Sequence, residues 1–193
     1  MEIFGRGFSD YLEVCKNPFL AYVAVVLVLT FVSFASFQLY AILGGISVMF
    51  YFGLCLYVGW SGAKKGMDGF QPVAVGAIFG LGVGLLQGLA IALLVTQNPS
   101  YTAFFDSNIG EIVANYSLSR QEAINSLALS SVLSSPFVWA FISAVLAVLG
   151  GLGARYLGGA KKTGYEVETE KAEAQESPDS RRKRPSKKFR RRK

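Results

Sequence analysis

The residues that usually carry chemistry are scarce in this 193-residue chain: it has no histidine and two cysteines, Cys15 and Cys55. A structural zinc site takes four Cys, His or carboxylate ligands, and two thiols cannot fill one by themselves. The lack of imidazole also excludes His-ligated haem, Ser-His-Asp hydrolysis and His-based proton shuttling. Of the carboxylates, Asp106, Glu111 and Glu122 could in principle do acid–base work, but they better suit solvated helix starts, where negative charge is favourable against the dipole. Gly80-Leu81-Gly82-Val83-Gly84 has no soluble strand before it and no Lys-Ser or Lys-Thr after it, so it is not a phosphate-cradling loop. Without a recognisable catalytic constellation, the chain is expected to be no enzyme, to bind no cofactor and to hold no metal.

The elements around these residues belong to a membrane. Hydrophobic residues make up 52% of the chain and charged ones only 17%, and the charges are unevenly placed. None falls among the 47 residues between Lys16 and Lys64, the 37 between Asp68 and Asp106, or the 32 between Glu122 and Arg155. Since about 20 mainly apolar residues cross a bilayer as a helix, the first stretch holds two spans and the others one each. The fold class expected is all-α, a four-span transmembrane helix bundle. The spans are placed at about 19–37, 39–60, 73–96 and 137–157, with Pro72, Pro99 and Pro136 punctuating their ends.

Residues 1–18 carry too many acidic groups near the start for a signal peptide. Phe4, Phe8, Tyr11, Leu12 and Cys15 recur on one helical face, which predicts an amphipathic helix lying at the interface. Asn17-Pro18 is expected to break it, because proline disfavours helix in the residue before it. Between spans three and four, Ile109, Ile112, Val113 and Tyr116 follow i, i+3, i+4, i+7, and Ser119-Arg120-Gln121-Glu122 matches a capping box. Two short amphipathic helices are therefore expected there, the second carrying Ala123, Ile124, Leu127 and Ala128. Asn115-Tyr116-Ser117 is a glycosylation sequon, a triplet common by chance.

Orientation follows the distribution of basic residues. Lys64 and Lys65 lie between spans two and three, and Lys161 and Lys162 follow span four. The segment between spans three and four has Arg120 alone against three carboxylates. The positive-inside rule then puts both termini in the cytoplasm, and the expected location is the plasma (inner) membrane of a prokaryote.

Small residues form the sharpest pattern. Gly76, Gly80, Gly84 and Gly88 recur every four residues in span three, and Ala140, Ala144, Ala147 and Gly151 form a stripe in span four. Missing side chains let helices approach closely and gain van der Waals contact, which is what drives association in lipid. The motif does not specify its partner: packing within the chain, contact with a second copy or another membrane protein, and a glycine-lined pore all use it. Gln87 is the main polar residue deep in a span, and an interhelical hydrogen bond is its expected role. Arg155, near the end of span four, is expected to snorkel to headgroups.

The end of the chain differs from the rest. Residues 161–193 hold 13 of the 19 Lys and Arg, so the net charge of +6 belongs to this tail. Its first part is Glu-rich and polar, as disordered spacers are. Its last 13 residues include Arg181, Arg182, Lys183, Arg184, Lys187, Lys188, Arg190, Arg191, Arg192 and Lys193. Such a block can lie on anionic membrane lipids, neutralise the phosphates of nucleic acid or a ribosome, or serve topology alone. The function expected is a scaffold or assembly protein docking through this tail. The alternative is a passive channel or facilitator formed by an oligomer, and an intramembrane hydrolase or transferase relying on external carboxylates such as Glu111 comes third.

The four spans, the repeat from Gly76 to Gly88, and a long third–fourth segment ending in Ser134-Ser135-Pro136 resemble small prokaryotic membrane protein families of unknown function. The resemblance covers about residues 15–160. It implies the architecture and supplies no catalytic residue.

Overall fold

A tight hairpin opens the chain. Strands β1 (Glu2–Ile3) and β2 (Arg6–Gly7) pair antiparallel, with Glu2 opposite Gly7 and Ile3 opposite Arg6. The two residues between them, Phe4 and Gly5, both have positive φ, 49° and 77°, as a two-residue hairpin loop demands. The computed structural model describes residues 2–157, and what was expected of the tail lies outside them.

Among the described residues, four helices are long and apolar enough to cross a membrane: α1 (Phe8–Ala35), α2 (Phe37–Lys64), α3 (Gln71–Gln97) and α6 (Arg120–Leu157). Two short helices, α4 (Pro99–Phe104) and α5 (Asp106–Tyr116), lie between α3 and α6. This is the all-α architecture of a multi-pass membrane protein. α6 packs most extensively on α3 and next on α2, while α1 lies against α2 and α3. Much of the outward surface is apolar, with Phe31, Met49, Phe137 and Phe141 largely exposed, as suits side chains that meet lipid.

Two expectations about helix boundaries are corrected. No separate interfacial helix precedes span one, because α1 runs from Phe8 through Asn17 and Pro18 without a break. Its buried residues, Tyr11, Val14, Cys15, Pro18, Tyr22 and Val26, form one stripe at helical spacing on both sides of the proline. A proline inside a helix costs about 3 kcal/mol, and burial of this continuous face offsets it. Likewise, the second external helix expected after Ser119 is no separate element. It is the first part of α6, which continues through Pro136 for 38 residues, about 57 Å at 1.5 Å per residue. Ala123, Ile124 and Ala128 are buried, so the same argument applies.

Other boundaries have visible causes. Ser36 alone connects α1 to α2, and its hydroxyl accepts a hydrogen bond from the Leu39 amide. The predicted capping box forms at the start of α6: the Ser119 amide donates to Glu122, and the Glu122 amide to the Ser119 hydroxyl. The Ser119 hydroxyl also donates to the Glu122 carboxylate at 2.7 Å, and this bond first, then the one from the Ser119 amide, holds the carboxyl below the usual carboxylate range. On α5, Ile109 is buried and Ile112 and Val113 pack beside it, but Tyr116, at the last turn before the left-handed Ser117, is exposed.

Candidate functional site

The glycine ridge of α3 lies against the backbone of α6. A Cβ on Gly76 would meet Ser143 and Ala144, one on Gly80 would meet Trp139 and Ala140, one on Gly84 would meet Ser135 and Pro136, and one on Gly88 would meet Ser131 and Val132. Each four-residue step along α3 is answered by a four-residue step back along α6, the register of an antiparallel pair. Four side chains are missing where two backbones touch.

Ala147 marks where three helices meet. It is fully buried, its methyl group faces Gly76 of α3, and its own carbonyl fills the space beside Gly59 of α2. Three residues on, Gly150 lies against the Leu56 carbonyl, and Gly151 approaches the Gly59 carbonyl and Pro72. Sequence reasoning missed Gly59 and Gly150. Gly59 has only Gly62 beside it in the last turns of α2, three residues on, so no four-residue repeat marked it, and Gly150 falls one position off the stripe of α6.

Beside this junction is a closed polar cluster. The Tyr51 hydroxyl hydrogen-bonds Ser143 Oγ and donates to the Trp139 carbonyl at 3.2 Å, and the Cys55 thiol lies 3.5 Å from the same Ser143 Oγ. Tyr51, Cys55 and Ser143 are all fully buried. The Tyr51 ring meets Trp139 edge-on, with centroids 4.7 Å apart, and tilts against Tyr22. The Tyr22 hydroxyl in turn reaches Gln87 Oε1 at 3.4 Å, which gives Gln87 the interhelical partner expected of it. Every group here is neutral in its ordinary state, and none is a base able to activate Ser143 or Cys55. Hydrogen bonds join α2 to α6 and α1 to α3, and the contact between the Tyr22 and Tyr51 rings links the two pairs.

The two ends of the bundle are also tied. Beyond α3, Asn98 is buried: its Oδ1 accepts from the Ser100 and Tyr101 amides, and its Nδ2 donates to the Ser33 carbonyl at 2.8 Å. An Asn followed by Pro is the signature of a helix start, a signal that the expectation of Pro99 as the end of a span passed over. At the opposite end, Arg6 donates to the Lys65 and Gly66 carbonyls, Gln71 donates to the Phe4 carbonyl, and Lys65 pairs with Glu13 at 2.8 Å. The pairing with Lys65 holds the Glu13 carboxyl below its ordinary range. Arg155, at the same end, is exposed and donates to the Met67 carbonyl of the α2–α3 turn at 3.3 Å.

The predicted residues thus divide into three groups. Gly76, Gly80, Gly84, Gly88, Ala140, Ala144, Ala147 and Gly151 come together in the seams of α2, α3 and α6. Asp106 pairs with Arg120 on the surface, and no group of three or more His, Cys, Asp or Glu able to hold a metal occurs among the described residues. The basic residues from Arg181 to Lys193 lie outside the described residues. No family model, curated protein or solved structure matches the chain.

Proposed function

We propose that this protein is a membrane-embedded scaffold: a rigid four-helix bundle that holds a basic tail, residues 181–193, against anionic surfaces and assembles partners there. The single observation that carries this reading is the consumption of the glycine ridge. Gly76, Gly80, Gly84 and Gly88 are spent on contact with α6 of the same chain. A pore built on those glycines, or an oligomer built through them, would need that seam opened.

Two further features favour a scaffold over a transporter. Ionisable side chains within spans are the usual markers of ion and proton pathways, and the sequence between Lys16 and Lys64 and between Asp68 and Asp106 has none. The buried hydroxyls and the amide of Gln87 are engaged with one another. The proposed orientation puts the end bearing Arg6, Lys16, Lys64, Lys65 and Arg155 in the cytoplasm with both termini, so the tail meets the leaflet rich in anionic lipid.

Affinity purification in mild detergent tests the scaffold. The full chain and a version ending at Thr163 are compared, each with and without nuclease. Partners that depend on the tail and survive nuclease support docking through lipid or protein, and partners lost to nuclease assign the tail to nucleic acid. Solute flux through vesicles reconstituted with the full chain would instead establish the channel and end the scaffold reading.

A further inference from the structure

A groove of about 520 Å³ runs between α2 and α6 on the outer surface of the bundle, lined by Leu56, Tyr57, Trp60, Lys64, Leu149 and Gly153. We infer that it is a binding site for one anionic phospholipid, with the phosphate on Lys64 and an acyl chain lying over Gly153 along the wall of Leu56 and Leu149.

The groove is graded in polarity, as a lipid is. Its apolar part exists because α6 has glycine where a side chain would fill it. A Cβ on Gly153 would lie 3.6 Å from the Trp60 ring, in ordinary contact, so a larger side chain there would occupy the groove. Trp60 and Tyr57 form its middle, and rings with a polar edge favour the depth where acyl chains give way to headgroups. Lys64 closes the polar end, with its ammonium 5.4 Å from the centre of the Trp60 ring.

Charge decides the kind of lipid. Lys65 is paired with Glu13, and Arg155 is engaged with the Met67 carbonyl. Lys64 has no carboxylate within 4.0 Å among the described residues and is exposed. Among the described residues its positive charge is therefore uncompensated, the arrangement by which basic pockets between helices select anionic headgroups. Two other surface grooves lack this combination of an ammonium and interfacial rings. The one between α1 and α3, about 530 Å³, has Lys16 beside Glu13 at its mouth but no Trp or Tyr in its lining, and the one between α1 and α2 is lined by apolar side chains and Ser47.

Quenching of tryptophan fluorescence tests the site in the full chain. The protein is reconstituted into vesicles doped with brominated phosphatidylglycerol or brominated phosphatidylcholine, and the ratio of quenching efficiencies is compared among variants. The parent should favour the anionic lipid roughly fivefold. Lys64→Gln, which removes the charge, and Gly153→Leu, which fills the groove, should each bring the ratio to about one, whereas Lys64→Arg should keep it. Equal quenching by both lipids in the parent overturns the proposal. Retention of the preference in either Lys64→Gln or Gly153→Leu also overturns it, and assigns the enrichment to the basic tail, which both variants keep.

Discussion

Gly84 of α3 abuts Pro136 of α6 so closely that a Cβ added to Gly84 would come within 2.5 Å of the Pro136 Cα. The contact joins the two residues that local rules make least suited to a helix interior. Glycine there costs conformational entropy and proline removes a hydrogen bond. Each is acceptable because it meets the other helix. The tight approach replaces lipid contact with dispersion contact along the whole seam.

The same contact sets the sign of a pair of substitutions. Gly84→Ala should lower thermal stability in detergent, by about 1–3 kcal/mol as overpacking does, and Gly84→Leu should disrupt the bundle. Gly45→Ala should do the reverse, because a Cβ on Gly45 of α2 meets nothing within 4 Å and alanine gains about 0.5–1 kcal/mol over glycine in a helix. Melting followed by size-exclusion chromatography reads both. A Gly84→Leu protein as stable and compact as the parent would refute the close-packed seam.

Tyr51 and Ser143 should prove energetically coupled. In a double-mutant cycle of Tyr51→Phe and Ser143→Ala, measured by unfolding in mixed micelles, the expected coupling is about 0.6–1.7 kcal/mol, the range of hydrogen bonds between membrane helices. The Tyr51 hydroxyl keeps the Trp139 carbonyl when Ser143 is lost, so Ser143→Ala alone should be mild. Strict additivity would mean that the two hydroxyls are not hydrogen-bonded.

Arg6 should control the α2–α3 turn. Its guanidinium caps the Lys65 and Gly66 carbonyls at 3.1 and 2.7 Å. Arg6→Ala is expected to speed hydrogen exchange of amides in residues 65–71, as seen by mass spectrometry, while those of α3 beyond Val75 stay protected. Arg6→Lys should rescue only partly: both bonds come from the one Nη2 atom, which lies one bond farther along the side chain than a lysine ammonium reaches. Uniform acceleration across the bundle would show that the hairpin supports the whole fold rather than the turn.

Cysteine labelling should report the topology directly. Cys15 and Cys55 are buried and should stay silent to a membrane-impermeant maleimide in the folded protein. In right-side-out vesicles, a cysteine at Asn125 should label and one at Ser9 should label only after permeabilisation, both sites being exposed. The opposite pattern would invert the proposed orientation.

Some of this was legible residue by residue. The capping box at Ser119, the very short joint between the first two spans and the buried face of Ile109, Ile112 and Val113 all depend on neighbours within one turn or two. Pro18 and Pro136 misled because the rule that proline ends a helix weighs only local terms. Tyr11 to Val26 and Ala123 to Ala154 bury faces that run past the prolines, and this burial is settled by other helices. Gly59 carried no local mark, since its partner Ala147 is 88 residues away.

By itself the sequence determined that four apolar helices would form and roughly where, because a bilayer-spanning helix must satisfy its backbone internally and shed its charges. It also determined that two of them would carry faces without side chains. Only the tertiary structure decided which backbone fills those faces, that α3 meets α6 in antiparallel register with Ala147 at the junction with α2, and that Tyr51, Cys55 and Ser143 close on one another. Lipid attracts every apolar face about equally, so the choice of partner rests on shape and hydrogen-bond geometry, which exist only once the helices stand side by side.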